Sequence, residues 1–281
     1  MPETRYRPFP TALSDAEWAA LQPLLPAPCP IGRPLKWPRR LMAEAIFYLV
    51  RTGCAWRFLP HCFPPFRPLR GLSLRGIAAR WPTVYSQFRR WRRDGALRAM
   101  HDRLRELARE AQGRSAEPSA AIVDSQTVRG WDGAKRTAGR KRHTLVDAMG
   151  LVLLVHVHAA DLHDRIGAQA LIGRAGPGEL PRLELVWADS AYAGTFARWL
   201  EAECGWRVEG PRHRQHQARR YRLEERPKGF QVIPRRWVVE RILAWLSRSW
   251  RLARDYERLP ETGKAMIHAA MSRIMLRRVA A

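Results

Sequence analysis

Three apolar segments decide the fold of this 281-residue chain: SAAIVDSQTV at residues 119–128, KRHTLVDAMG at 141–150 and LVLLVHVHAA at 151–160. Each segment is short and rich in apolar and β-branched residues, which is typical of buried strands. Gly150 separates the last two segments, so we interpret them as a hairpin. The sequence therefore predicts a sheet that begins with three successive strands.

Helical and strand patterns alternate after this hairpin. The sequence predicts a helix at 164–176 (DRIGAQALIGRAG), a strand at 183–190 (LELVWADS), a helix at 195–204 (TFARWLEAEC) and a strand at 206–212 (WRVEGPR). This order is typical of a mixed α/β domain. A basic loop is expected at 211–234, and helices at 235–256 and 261–279 are predicted to follow it.

The first 112 residues have a helical pattern throughout. Ser14 and Glu17 form a capping-box pattern at the start of the first helix. Further helices are predicted at 38–53, 83–95 and 96–112. These helices are rich in Arg and Trp, which favours a helix-turn-helix-like DNA reader, although an oligomerising helical bundle fits the same pattern. A small polar linker follows, so we divide the chain into an all-helical domain at 1–112 and an α/β domain at 119–281.

The charge of the chain indicates a polyanionic partner. Fifty lysine and arginine residues against 26 acidic residues give a formal net charge of +24 and a pI of about 11.4. Only five of the basic residues are lysine, so 45 are arginine. A protein this basic usually binds nucleic acid, with a membrane surface or the ribosome as alternatives.

Several protein classes are disfavoured by the same sequence. No segment reaches the ~18 consecutive apolar residues of a membrane span, and residues 1–10 lack the apolar stretch of a signal peptide. The cysteines are too few and too scattered for a disulfide framework: Cys29, Cys54, Cys62 and Cys204. We therefore expect a protein of the cytoplasm, without a membrane partner.

Two aspartates stand within apolar strand patterns, where an unpaired carboxylate is costly to bury. Asp124 follows AIV and Asp189 follows LVWA. Ligands bind at the carboxyl ends of strands in α/β domains, although a strand-end turn explains either aspartate alone. Glu240 is the third candidate, on the polar face of the helix predicted at 235–256, where a simple ion pair with Arg236 is the alternative.

Three carboxylates in so basic a chain suggest a site for hard divalent cations. Mg²⁺ uses one or two protein carboxylates and completes its shell with water or phosphate oxygens. Two such ions assist phosphodiester chemistry by acting on the attacking and the leaving oxygen. Zinc is not expected, because His156, His158 and His163 lack a further ligand at a suitable spacing.

The chain resembles bacterial insertion-sequence transposases of the DDE class, most closely the insertion-sequence-5 family. The resemblance runs from about Leu13 to Tyr256, and its most specific motifs are IVDSQTV, GAKRTAGRKRHTLVDAMGLVL, WADSAYAG and RRWVVERILAWLSRSWRLARDYE. It implies a ribonuclease-H-like catalytic domain with Asp124 on the first strand, Asp189 after the fourth and Glu240 on a late helix. All three residues would then be catalytic and would bind Mg²⁺, with Mn²⁺ as an alternative ion.

The resemblance also implies the substrate and the assembly. The expected reaction cuts double-stranded DNA at the terminal inverted repeats of the element and transfers the 3′ end into target DNA. Because two ends must be brought together, we expect a homodimer in the active complex. A catalytically inactive DNA-binding remnant and a nuclease that cuts without joining remain as alternatives.

Two departures from the family pattern bear on those alternatives. Residues 66–80 are interpreted as an insertion, either a tolerated loop or a defect of this copy. The Tyr-Arg-Glu-Lys signature of the family keeps Arg236 and Glu240, but Ile233 and Ser247 stand at the other two places.

Six residues beside the acids are candidate DNA contacts. Their positive or titratable side chains suit phosphate binding, and four of them form one basic run beside a strand, for which a solvated turn is the alternative. The six are Arg140, Lys141, Arg142, His143, Arg236 and Arg251.

Overall fold

The structure, a computed structural model, describes residues 9–27, 37–60, 81–128, 139–175, 177–189, 192, 194–209 and 236–280, excepting the side chains at 177, 236, 237 and 239. The chain forms two compact units. Residues 1–116 and 245–281 make the first, which we call the helical unit. Residues 117–244 make the second, the α/β unit. The predicted insertion at 66–80 and the basic loop at 211–234 lie outside the described residues.

The regular elements are named in chain order. The helices are α1 (Asp15–Leu21), α2 (Arg39–Thr52), α3 (Trp81–Arg93), α4 (Ala96–Glu110), α5 (Asp164–Gly173), α6 (Thr195–Cys204), α7 (Arg236–Ser247), α8 (Trp250–Ala253) and α9 (Pro260–Val279). The strands are β1 (Ala120–Val128), β2 (Arg140–Asp147), β3 (Val152–Ala159), β4 (Leu185–Trp187) and β5 (Arg207–Glu209). Single 3-10 turns cover Gln22–Leu24, Trp56–Phe58 and Pro177–Glu179.

The helical unit is built around α9. This helix contacts α1, α2, α3, α4 and α8, and most of its central residues are buried on every side. A helix that is apolar nearly all round has to lie inside a bundle. For this reason residues 245–281 pack with the N-terminal helices, whereas the sequence-based division assigned them to the α/β domain at 119–281.

The single helix predicted over 235–256 is interrupted in the structure. Helix α7 ends at Ser247, and Ser249 adopts an extended conformation with φ −90° and ψ 100° before α8 begins. Gly53 packs so closely there that a Cβ on it would lie 2.9 Å from the backbone of Trp250. The break is thus held by a tertiary contact with the end of α2, which helical periodicity does not encode.

Two histidines are buried against each other in the helical unit. The rings of His101 and His268 stack with their centroids 4.9 Å apart. The ring of His101 also donates from Nδ1 to Asp102, at 3.0 Å. Burial lowers the pKa of His101, and the bond to Asp102 only partly opposes this shift. Burial also lowers the pKa of His268, and the adjacent His101 lowers it further.

This pair predicts that the helical unit loses stability in acid. Both pKa values lie below the unfolded value of about 6.5, so the unfolded chain takes up protons that the folded one rejects as pH falls below 6.5. Below pH 6.5, each histidine can lower the free energy of unfolding by up to about 1.4 kcal/mol for every unit by which the pH falls. We expect His268→Phe to make the drop in melting temperature from pH 7.5 to 5.5 smaller than in the wild type, whereas Met266→Leu, on the same helix, keeps the wild-type drop. An unchanged drop in His268→Phe would contradict this.

The α/β unit contains a five-stranded mixed sheet in the order β3-β2-β1-β4-β5. Strands β1, β2 and β3 are antiparallel neighbours, while β4 runs parallel to both β1 and β5. The predicted hairpin is confirmed, with Gly150 in its turn at φ 81°. Residues of β1 and β2 pack with α5 and α6 in one apolar core, which includes Val123, Leu145, Leu171 and Phe196.

Helix α7 buries the apolar face that its sequence predicts, which contains Val238, Ile242 and Leu246. Arg241 of the same helix donates to the carbonyl oxygen of Met149 in the hairpin turn, at 2.8 Å. No helix in the part of the chain that the structure describes is long and apolar enough to cross a bilayer.

Candidate active site

The strand register brings Asp124 and Asp189 to one edge of the sheet. Ile122 of β1 is paired with Trp187 of the parallel strand β4. Asp124 lies two residues further along β1, and Asp189 lies two residues further along the chain, just past the end of β4. The two carboxylates predicted from the sequence therefore lie at the same end of two neighbouring parallel strands, Asp124 within β1 and Asp189 just after β4.

Strand β1 continues beyond the end of β4. In the described part of the chain, Asp124 therefore lies past the last residue of β1 that pairs with β4. The pairing of β1 with β4 stops at Ile122, although β1 itself runs to Val128. The backbone N–H of Ser125 then donates to Oδ1 of Asp124 at 2.7 Å. Asp124 is half-buried and Asp189 is exposed, so a ligand from solvent can reach both.

A third aspartate, Asp164 at the start of α5, lies at the same edge. Its Oδ1 accepts a hydrogen bond from the hydroxyl of Ser125 at 3.0 Å. Burial raises the pKa of the nearby Tyr192 hydroxyl, Ser125 opposes the shift, and the charges of Asp164, Asp124 and Asp189 raise the pKa further. The charges of all three carboxylates therefore act on this one hydroxyl, so the three lie near one another at this end of the sheet.

Glu240 lies exposed on α7, as its helical position predicts. The structure does not bring it to the aspartates, because the described residues contain no group of three or more His, Cys, Asp or Glu side chains close enough to hold a metal ion. The pair formed by Asp124 and Asp189 nevertheless suits Mg²⁺, which needs only one or two protein carboxylates. The donor set at the sheet edge therefore fits a hard divalent cation, with Glu240 still a prediction.

The basic run at 140–143 lies on β2, antiparallel to the acidic part of β1. Arg140 and Lys141 are partly exposed, whereas Arg142 and His143 are buried. The ammonium of Lys141 donates to Asp164 at 2.8 Å and to the carbonyl of Leu162 at 3.0 Å. Of these four candidate DNA contacts, Arg140 and Lys141 are partly exposed, but the ammonium of Lys141 is already bound by two groups of the protein.

His143 belongs to a buried histidine pair. A carbonyl oxygen can only accept, so the contact of 2.7 Å from His158 Nδ1 to Ala159 O makes that nitrogen the donor. Nε2 of His158 then accepts from Nδ1 of His143, also at 2.7 Å. This leaves a lone pair on Nε2 of His143, 3.8 Å from Oδ1 of Asp164. Burial, followed by the neighbouring His158, lowers the pKa of His143 to about 4, so the ring is neutral at pH 7.

The α5 helix approaches this pair at Gly167. A Cβ at that position would lie 2.5 Å from Cε1 of His143 and 2.6 Å from Nε2 of His158. Both distances are shorter than real Cβ contacts. Helix α5 can therefore pack this closely on the sheet only because glycine has no side chain. The start of α5 carries Asp164, and this packing therefore places Asp164 at the acidic edge.

Comparison with protein families gives two matches. The family model described as Transposase DDE domain matches residues 115–275, more than half of the chain. The chain belongs to the DDE transposase family. A second model, for transposases of the IS4/5 family, matches residues 13–101. Searches of curated proteins and of solved structures gave no match.

The family membership accounts for the sheet of this transposase. A DDE domain implies a ribonuclease-H-like fold, and the mixed five-stranded sheet with flanking helices agrees with it. The family match continues to residue 275, although residues 245–281 pack in the helical unit. The matched segment is therefore continuous in sequence but contributes to both compact units.

The two remaining candidate DNA contacts of the transposase differ in their surroundings. Arg236 is the first residue of α7, and its side chain is outside the described part of the structure. Arg251 is buried in the helical unit, where it donates to Glu257 at 2.7 Å and to the carbonyl of Cys54 at 3.1 Å. Because α7 ends at Ser247, Arg251 lies outside the helix that carries Glu240.

Sequence reasoning missed the residues that surround the aspartates. Asp164 looks like an ordinary acidic residue in the first turn of a helix, and Tyr192 and Ser125 carry no spacing signal. Gly167 gave a usable signal, because a glycine inside a helical pattern costs ~1 kcal/mol relative to alanine and often has a packing reason.

Proposed function

We propose that this chain is an active transposase that binds the inverted-repeat ends of its own element, cuts there and joins the 3′ end to target DNA. The observation that supports it best is the placement of Asp124, on β1, and Asp189, just after the parallel strand β4, at the same end of the sheet. When bound there, a divalent cation would supply positive charge to the attacking and leaving oxygens of a phosphodiester.

The residues of the chain have defined tasks in this proposal. Asp124 and Asp189 would hold the cation at the sheet edge, and Glu240 would have to approach from α7 to complete the acidic set. Water attacks the phosphodiester at the element end and releases a 3′-hydroxyl. That hydroxyl then attacks a phosphodiester of the target and displaces its 3′-oxygen. No covalent bond to the protein is needed, because positioning and charge neutralisation carry this chemistry.

We assign recognition of the element end to the helical unit. Helix α3 buries Val84, Phe88 and Trp91 on one side. Its other side carries the exposed side chains of Arg89, Arg90 and Arg93. An arginine-rich helix face attracts the DNA backbone through charge and through the release of counterions. A dimer would hold the two ends together for joining.

A cutting assay tests this proposal. The purified protein is incubated with a labelled duplex that carries the end of its own element, with Mg²⁺ or with EDTA, and Asp124→Ala is treated in parallel. We expect cutting at the end with Mg²⁺ only, and none with Asp124→Ala. Adding target DNA should then give joined products.

Each other result has a defined meaning. Binding without cutting by the wild type would identify a DNA-binding remnant, and residues 66–80 would be the first segment to delete. Cutting without joined products would identify a nuclease. Cutting by Asp124→Ala at the wild-type rate would refute the assigned site.

A further inference from the structure

Asp164 is the centre of a hydrogen-bonded cluster beside the candidate active site. Its Oδ1 accepts from the Ser125 hydroxyl at 3.0 Å and from the Lys141 ammonium at 2.8 Å. The side chain of Lys141 is only 13% exposed, and it is fixed by a second bond, to the carbonyl oxygen of Leu162 at 3.0 Å. Asp164 is therefore held in place by groups from β1 and β2 at once.

The histidine pair packs behind this carboxylate. His143 is fully buried, and its unpaired Nε2 faces Oδ1 of Asp164 across 3.8 Å. The bond to His158, which is itself anchored to the carbonyl of Ala159, prevents the His143 ring from turning away. The contact of both rings with Gly167 fixes their distance from α5. The buried side of Asp164 is thus lined by the ring of His143, which His158 holds in a fixed orientation.

Ser125 connects this cluster to the proposed metal ligand Asp124. The hydroxyl of Ser125 donates to Asp164, while its backbone N–H donates to Oδ1 of Asp124 at 2.7 Å. This part of β1 lies beyond its pairing with β4, and among the described residues no strand pairs with it on that side. The hydrogen bond to Asp164 restrains the Ser125 side chain.

We propose that Asp164 is a positioning residue of the transposase: held by Lys141, it fixes Ser125 and thereby sets the orientation of the Asp124 carboxylate. The inference rests on the proposed function, because it assigns Asp124 to the metal site. It also gives Lys141 a different task from the phosphate contact predicted from the sequence. The ammonium already has two partners within the protein, and its charge offsets that of Asp164.

The test compares Asp164→Ala with Asp161→Ala, which removes the same charge from an exposed position in the same loop. Groups that orient a metal ligand typically contribute 10- to 100-fold to metal affinity or activity. We expect Asp164→Ala to lower the cutting rate at saturating DNA and Mg²⁺ by about 10- to 100-fold, with the Kd for end DNA unchanged. Asp164→Asn, which keeps an accepting oxygen, should recover most of the rate. Asp161→Ala should cut at the wild-type rate.

A second measurement does not depend on cutting. Titration of the free protein with Mn²⁺, followed by electron paramagnetic resonance, should give weaker binding in Asp164→Ala than in Asp161→Ala. If Asp164→Ala abolishes Mn²⁺ binding as completely as Asp124→Ala does, Asp164 is a ligand and the positioning role is refuted. If the wild type does not cut, the proposed function fails, and the Mn²⁺ titration still decides the role of Asp164.

Lys141 provides the remaining comparison. Lys141→Met should reduce the cutting rate in the same direction as Asp164→Ala, and the double variant should lose little more than either single one, because both act through one cluster. A phosphate contact would behave differently, since its loss weakens DNA binding and reduces the salt slope by about one. A lowered salt slope with a normal cutting rate would overturn the proposal for Lys141.

Discussion

Replacing Gly167 with alanine is expected to destabilise the α/β unit by about 3 kcal/mol, which is the range that overpacking of a core produces. The added methyl group would lie 2.7 Å from Nδ1 of His143 and 2.6 Å from Nε2 of His158. Neither ring can swing aside, because both are buried and joined by a hydrogen bond of 2.7 Å. Thermal unfolding should show a melting temperature lower by roughly 6–12 °C.

Gly173 gives a matched control for this substitution. It ends the same helix, and a Cβ on it would meet nothing within 4 Å. Gly173→Ala should therefore leave stability unchanged or raise it by roughly 0.5–1 kcal/mol, through the smaller entropy of the unfolded chain. A Gly167→Ala protein as stable as Gly173→Ala would show that α5 does not approach the histidine pair this closely.

The contrast between these two glycines shows what the sequence encodes locally. Both stand in one helical pattern, and nothing in their neighbours distinguishes them. The space around the two glycines differs because Gly167 contacts His143 on β2 and His158 on β3, whereas Gly173 contacts neither. Such a contact depends on the crossing of helix and sheet, which periodicity does not specify.

The strands and the two aspartates were accessible to sequence reasoning for a physical reason. An apolar strand pattern that ends in a carboxylate is costly to bury, so Asp124 and Asp189 indicated an open sheet edge. The parallel pairing of β1 and β4 confirms that they share that edge. Which further groups complete the site is a matter of tertiary packing, and Asp164 enters only because α5 packs on the sheet.

For the C-terminal segment, the sequence predicted the helix but not the helices with which it packs. Periodicity predicted the helix that is observed at Pro260–Val279; the sequence-based division assigned it to the α/β domain, whereas it packs in the helical unit. Its burial on every side is the informative property, since an apolar surface all round demands several neighbouring helices. The break before α8 similarly depends on Gly53, nearly two hundred residues earlier in the chain.

Substitution of Asp189 by asparagine should lower the cutting rate severely. If Asp189 binds the catalytic cation, its loss removes several kcal/mol of charge stabilisation from the transition state, which corresponds to about a thousandfold in rate. The affinity for end DNA, in contrast, should not fall. Loss of a negative charge at the DNA surface removes repulsion, so the Kd should stay equal or become lower.

Glu184→Gln is the matched control for Asp189→Asn. Glu184 is exposed just before β4, at the opposite end of the strand from Asp189, and its substitution changes the charge by the same amount. We expect it to cut at the wild-type rate. A similar loss in both variants would mean that overall charge, and not the acidic edge, governs cutting. A loss of DNA binding in Asp189→Asn would mean that the aspartate supports the DNA surface, because removing a metal ligand alone leaves the attraction between arginines and phosphates intact.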